Sequence, residues 1–226
     1  MLNWDQFEAL TFDCYGTLID WEAGILGGIR PVIAAHQLKM TDDEILELFG
    51  ELEVYAELTV SPQCNPPLTY KEVLTVVANG FCQRVGITPT PEEIVSLRNS
   101  VQNWPAFPDS VEALKALKKR WKLGILSNID DNLFAFSAEK LQMEFDWVIT
   151  AEQAGSYKPH HGHFELMLER SGLAKEKILH VAQSLHHDIR PANDLGWTTV
   201  WINRRARSSI VLQFLCGWIR KGSERC

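Results

Sequence analysis

Downstream of Pro105 the chain alternates helix and strand with a regularity that leaves few folds open. The pattern predicts a helix over 110–119 and a strand over 123–126, then a helix over 131–140 and a strand over 147–150. A helix over 162–171 precedes a strand over 178–182, and a short helix near 188–195 precedes a strand over 198–202. Repeated helix–strand units imply a parallel sheet covered by helices, because parallel strands need crossover connections. An earlier run, Ala9-Leu10-Thr11-Phe12, supplies a first strand that is mostly apolar, as a strand buried on both faces must be. It ends at Asp13 and is followed by a turn at Tyr15-Gly16. In such sheets ligands bind at the carboxyl ends of the strands.

Between Ile19 and Trp104 the pattern is helical. Asp20 precedes an amphipathic stretch that ends near His36. Thr41-Asp42-Asp43-Glu44 is a capping box, and Thr90-Pro91-Glu92-Glu93 is another with proline at the first helical position. A further helix is expected over 68–85, closed by Gly86, after a proline-rich loop at 61–67. The expected fold class is therefore α/β: a Rossmann-like parallel sheet core, residues 1–18 and 105–203, interrupted by an all-helical cap, residues 19–104. The insertion leaves the core at the end of the first strand, where a cap would exclude water from the site.

Composition narrows the function. The formal net charge is −7, which disfavours nucleic-acid binding over a broad basic surface. Five cysteines form no CxxC pair and are odd in number, which argues against a disulfide framework and suits a reducing, cytoplasmic setting. The start MLNWDQFEAL has no basic residue and no apolar segment of signal-peptide length. No apolar stretch reaches the ~18 residues of a membrane span, so no membrane association is expected. From Arg204 onward six Lys/Arg stand against one Glu around the apolar run 210–219, a tail of +5 on a body of −12. A packed helix, a surface membrane helix and a non-native end of the reading frame all fit this tail, and removal of the residues after Arg205 is expected to spare the chemistry.

Four polar groups fall at four successive strand ends: Asp13, Ser127-Asn128, Lys158 and Asp188. Each alone has an ordinary structural explanation as a cap or a turn. Together they place a carboxylate, a lysine and small donors in one crevice. A carboxylate can attack carbon or phosphorus and form an ester that water cleaves. Lys158 beside it favours the ionised form. Thr17, Ser127 and Asn128 offer donors to an anionic substrate group, and Asp188 is placed to fix the lysine, orient water or help hold a metal.

These residues sit in motifs with a wider resemblance. The segments Phe12-Asp13-Cys14-Tyr15-Gly16-Thr17-Leu18-Ile19-Asp20, Leu126-Ser127-Asn128, Tyr157-Lys158-Pro159 and 180–188 resemble the four motifs of the haloacid dehalogenase (HAD) superfamily in order and spacing. The resemblance spans 8–203 and implies the fold above, with Asp13, Lys158, Asp188 and Thr17 catalytic and Tyr15, Ser127, Asn128, Gln183 and Ser184 binding substrate. The superfamily's phosphatases usually carry an acid two residues after the nucleophile, where this chain has Tyr15. They usually open the fourth motif with Gly-Asp, where it has Ala182-Gln183. The resemblance is therefore nearest the type II (L-2-haloacid) dehalogenases, which implies a small carboxylate substrate, no required cofactor and an aspartyl ester. Alternatives are a magnesium-dependent phosphatase, with Asp13 and Asp188 as a weak metal site, and an inactive binding protein. A homodimer is one assembly open to the family.

Three departures accompany that nearest match. Gly50 aligns with the dehalogenases' cap arginine, for which Arg30 is the candidate substitute; Leu185 replaces an Asn and Phe164 a Tyr. Six of the seven histidines lie between His160 and His187. A transition-metal site there is less expected than loop and helix-end residues at the pocket mouth. Cys14 is expected to be a buried filler pointing away from Asp13.

Overall fold

The computed structural model describes residues 2–64 and 67–204. Five parallel strands, β1 (Ala9–Phe12), β2 (Lys122–Ser127), β3 (Trp147–Thr150), β4 (Ile178–Ala182) and β5 (Thr198–Trp201), form one sheet in the order β3-β2-β1-β4-β5. β1 is central, pairing Phe12 with Ile125 of β2 and with Val181 of β4. All four of its residues are buried, as are all five of β4, which is why these strands lack polar alternation. The helices α5 (Ser110–Lys118), α6 (Asp131–Leu141), α7 (Ala151–Ala154), α8 (Gly162–Ser171) and α9 (Arg190–Asp194) connect them. The α/β class and its parallel sheet are as the sequence predicts.

The described part of the insertion is helical: α1 (Trp21–Ala35), α2 (Asp42–Tyr55), α3 (Tyr70–Arg84) and α4 (Pro91–Ser100), with short turns at Ala56–Val60, Ser61–Gln63 and Val101–Asn103. Asp20 caps α1, and the boxes Thr41/Glu44 and Thr90/Glu93 cap α2 and α4 as expected. Helix α3 starts two residues later than the sequence pattern suggests. A third box, Thr69 with Glu72, sets its start, and Leu68 lies outside it. Two placements at the sheet also differ. Lys158 follows the short helix α7 rather than a plain loop, and Asp188 lies within a single π-helical turn, Leu185–Ile189.

Arg204, assigned from sequence to the tail, belongs to the core. Its guanidinium donates to the Thr17 carbonyl (2.7 and 3.0 Å) and to both Asp109 carboxylate oxygens (2.8 and 3.0 Å), and it stacks over Phe107. The remaining tail, 205–226, lies outside the described residues.

Insertion and core meet at Trp104, which is 1% exposed. It packs edge-on against Tyr15, with ring centres 5.4 Å apart, and donates from Nε1 to Ser100 Oγ. Helix α1 approaches it through Gly24, where a Cβ would stand 2.2 Å from Trp104 Cγ. Gly24→Ala must therefore displace a rigid, buried indole. Urea unfolding is expected to show a loss of about 1–3 kcal/mol, the usual range for overpacking.

Candidate active site

Asp13 stands one residue beyond β1, with its N–H still bonded to the Val181 carbonyl at 3.1 Å. The chain then turns sharply, and the N–H groups of Thr17, Leu18 and Ile19 converge on the Cys14 carbonyl at 3.3, 2.7 and 2.9 Å. Gly16 makes the turn at φ 90°, and a Cβ there would also meet Trp21 Nε1 at 2.9 Å. Cys14 is wholly buried in the hydrophobic core beside this turn.

Lys158 is 1% exposed, and all three of its ammonium protons are used. Nζ donates to Asp13 Oδ1 (3.0 Å), Asp188 Oδ1 (2.6 Å) and the Leu126 carbonyl (2.8 Å). Burial would lower the lysine's pKa, but the two carboxylates reverse this and hold it above the usual ammonium value. Burial would likewise raise Asp188; the Lys158 charge and the His180 bond outweigh it and hold Asp188 well below the usual carboxylate range. At Asp13 burial wins, and its pKa rises despite Lys158 and Thr17. The lysine thus keeps Asp188 ionised and favours the ionised form of Asp13 against the effect of burial.

Asp188 Oδ1 also accepts a hydrogen bond from His180 Nε2 at 3.1 Å, and His180 Nδ1 meets Thr11 Oγ1 at 3.0 Å. An ionised Asp188 can only accept, so His180 Nε2 carries the proton of that bond. This chain of bonds ties the central strands to the lysine. It also corrects the reading of the histidines. His180 and His163 are fully buried, not at the pocket mouth. His163 Nε2 donates to the Ser127 carbonyl, and burial pushes its pKa down to about 3.

A cavity of about 240 Å³ opens over these groups. Asp13, Ser127, Lys158 and Asp188 form its floor; Gly50, Glu53, Glu57 and Tyr70 line it from the insertion. Several expected donors are otherwise engaged. Thr17 Oγ1 does not line the cavity: it donates to Asp13 Oδ2 (2.7 Å) and accepts from Gln183 N–H (3.0 Å). Asn128 clamps the lysine segment, its Oδ1 accepting from Lys158 N–H (2.7 Å) and its Nδ2 donating to the Lys158 carbonyl (3.0 Å). Ser184 borders the cavity, but its hydroxyl caps the turn that carries Asp188. Ser127 Oγ is fully buried, borders the cavity and has no protein partner. The Tyr15 hydroxyl is bonded to Ser137 Oγ at 2.7 Å. Gln183 also borders the cavity.

Arg30 does not fill the gap at Gly50. It pairs with Asp42 at 2.5 Å on the surface, more than half exposed. The residues that sequence reasoning missed are Glu53 and Glu57, four apart on the helical face that carries Gly50; only that spacing could have shown them.

Among the described residues no group of three or more His, Cys, Asp or Glu is arranged to hold a metal. Asp13 and Asp188, the two acids considered for magnesium, share the Lys158 ammonium between them. Lys158 takes Oδ1 of each acid, Asp188 Oδ2 has no protein partner, and Gln183 adds no charge. Two acids that already answer one ammonium make a weak site for magnesium, which asks for near-octahedral oxygen ligands.

A carboxylate, a buried lysine and a second carboxylate at the ends of parallel strands, under a helical insertion, define a hydrolase site of the haloacid dehalogenase type. The family model for haloacid dehalogenase-like hydrolases matches residues 7–196, and the chain belongs to that family. It is 29% identical over 211 residues to haloacetate dehalogenase H-2 of Moraxella sp. (strain B), covering 88% of this chain and 87% of that one. It is 37% identical to the glyceraldehyde 3-phosphate phosphatase of Methanocaldococcus jannaschii over 102 residues, 42% of this chain and 43% of that one. A solved defluorinating L-2-haloacid dehalogenase superposes with a TM-score of 0.76 at 23% identity, over 88% of this chain and 82% of that chain.

Lys158→Met leaves two buried carboxylates facing each other. Urea unfolding at pH 7 is expected to show a loss of about 3–5 kcal/mol. The variant's carboxyls would have raised pKa values, so its folded state gains protons as pH falls. The deficit against wild type is therefore expected to shrink between pH 7 and 4.

Proposed function

We propose that the protein is a hydrolase of the (S)-2-haloacid dehalogenase type, acting on a short 2-haloacid without a required cofactor. The observation that carries this reading is the position of Tyr15. It stands where a phosphate ester's leaving alcohol would need an acid, and its hydroxyl is spent on Ser137. A halide leaves without a proton. The likeness to haloacetate dehalogenase H-2 along nearly the whole chain supports it. The domains follow: a core of 1–18 and 105–203, extended to Arg204, and a cap of 19–104. No described helix is long and apolar enough to cross a membrane, in keeping with a cytoplasmic enzyme, and a homodimer remains open to it.

In this mechanism the substrate carboxylate takes the free Ser127 hydroxyl, with Gln183 at the cavity edge. Thr17 and Lys158 hold the Asp13 carboxylate in place. Asp13 attacks C2 through one oxygen, the carbon–halogen bond breaks, and halide departs from the opposite face. Water then adds to the Asp13 carboxyl carbon and cleaves the ester. The former Asp13 oxygen leaves on the product as its 2-hydroxyl, and the water oxygen remains on Asp13. One water proton ends on the product and one passes to solvent. Asn128 and Ser184 act indirectly, by setting the lysine segment and the Asp188 turn.

A single turnover in heavy-oxygen water, with enzyme in excess over L-2-chloropropionate, is expected to label the Asp13 peptide. Asp13→Asn is expected to cut halide release by about 10³-fold or more, and a chelator to leave the wild-type rate unchanged. Label confined to the product would instead mean direct attack by water. Magnesium-dependent phosphate release without any halide release would replace this reading by a phosphatase.

A further inference from the structure

The roof of the cavity is acidic. Gly50, Glu53, Val54 and Glu57 all line it, the spacing of one helical face. Glu57 is 3% exposed, and its Oε2 accepts from Asn128 Nδ2 at 3.3 Å. Glu53 Oε1 accepts from the Tyr70 hydroxyl at 2.5 Å. Lys158, the one Lys or Arg on the lining, is already shared by Asp13 and Asp188. His187 borders the cavity with Nε2 4.0 Å from Glu57 Oε2, and burial pushes its pKa down to about 4, so at neutral pH it adds no charge. No cation thus answers the two roof acids. The fully buried Ser127 hydroxyl on the same cavity has no protein partner and can serve a polar ligand.

We propose that Glu57, backed by Glu53, is the leaving-group receptor: its neutral carboxyl donates a hydrogen bond to the departing halide. This rests on the dehalogenase reading. Asp13 attacks from the floor, so the halide moves toward the roof, and an ionised roof would repel it. No proton is transferred; the carboxyl keeps its proton while the carbon–halogen electron pair leaves with the halide. The two roof acids are suited to the neutral form. Burial raises Glu57 well above the usual carboxylate range, helped by Glu53 and opposed by Lys158 and Asn128. Burial lifts Glu53 to about 7 against the Tyr70 bond. Tyr70, Asn128, Tyr157, Lys158 and His187 face the pair from the other elements.

The test compares wild type with Glu57→Gln, which keeps an N–H donor, and Glu57→Ala, which does not. Wild-type kcat/KM for halide release from L-2-chloropropionate is expected to fall about 10–100-fold from pH 6 to 9, the worth of one charge-assisted hydrogen bond. Glu57→Gln is expected to lose most of that fall and to stay faster than Glu57→Ala at pH 6. Glu57→Ala is expected to be slow throughout. The same falling limb in Glu57→Gln, or a wild-type rate that rises with pH, would overturn the proposal. Chloride binding to the wild-type protein, read from the chloride-35 line width in sodium chloride, gives a check that needs no turnover. Excess width at pH 6 that declines by pH 9, and persists in Glu57→Gln, supports the proposal; absence of excess width at pH 6 refutes it. If no haloacid is turned over the dehalogenase reading fails, and the line width still decides whether the roof receives halide.

Discussion

Everything in the site depends on one ammonium group held between two buried carboxylates. Lys158 Nζ has no exposure to speak of and no proton to spare. Burying a charge is tolerable only when it is paired and fully hydrogen-bonded, and the surroundings supply that in layers. Asn128 grips the lysine backbone on both sides. His180 and Thr11 brace Asp188 from the central strands. Thr17 braces Asp13 and is itself held by Gln183 N–H. Residues that look like substrate ligands in the sequence thus serve first to keep a costly charge arrangement rigid.

The sheet is legible in the sequence because burial on both faces leaves little choice of residue. The 147–150 and 178–182 strands and the 162–171 helix are read with their observed limits. Helix starts marked by Thr41 and Thr90 are equally plain, since a capping box is a local device. Asp13, Lys158 and Asp188 are legible because three strand ends must share one edge of a parallel sheet.

What stays hidden depends on register and on the facing domain. His180 reads as one more strand residue; only its pairing opposite Thr11 shows how it reaches Asp188. Thr17 and Asn128 offer donors on paper, but Thr17 gives its proton to Asp13, four residues back, and Asn128 its own to Lys158, thirty residues on. Glu53 and Glu57 resemble the solvated face of a helix until the insertion is seen resting on the core. Arg204 looks like the start of a basic tail, yet it closes on the carbonyl of Thr17 and on Asp109.

The Asn128 amide gives the fold a mechanical property. Its Nδ2 donates both to the Lys158 carbonyl below and to Glu57 above. One side chain is therefore the hinge pin between the insertion and the charged floor. Any change in the position of Glu57 would thus be felt by the group that sets the lysine segment.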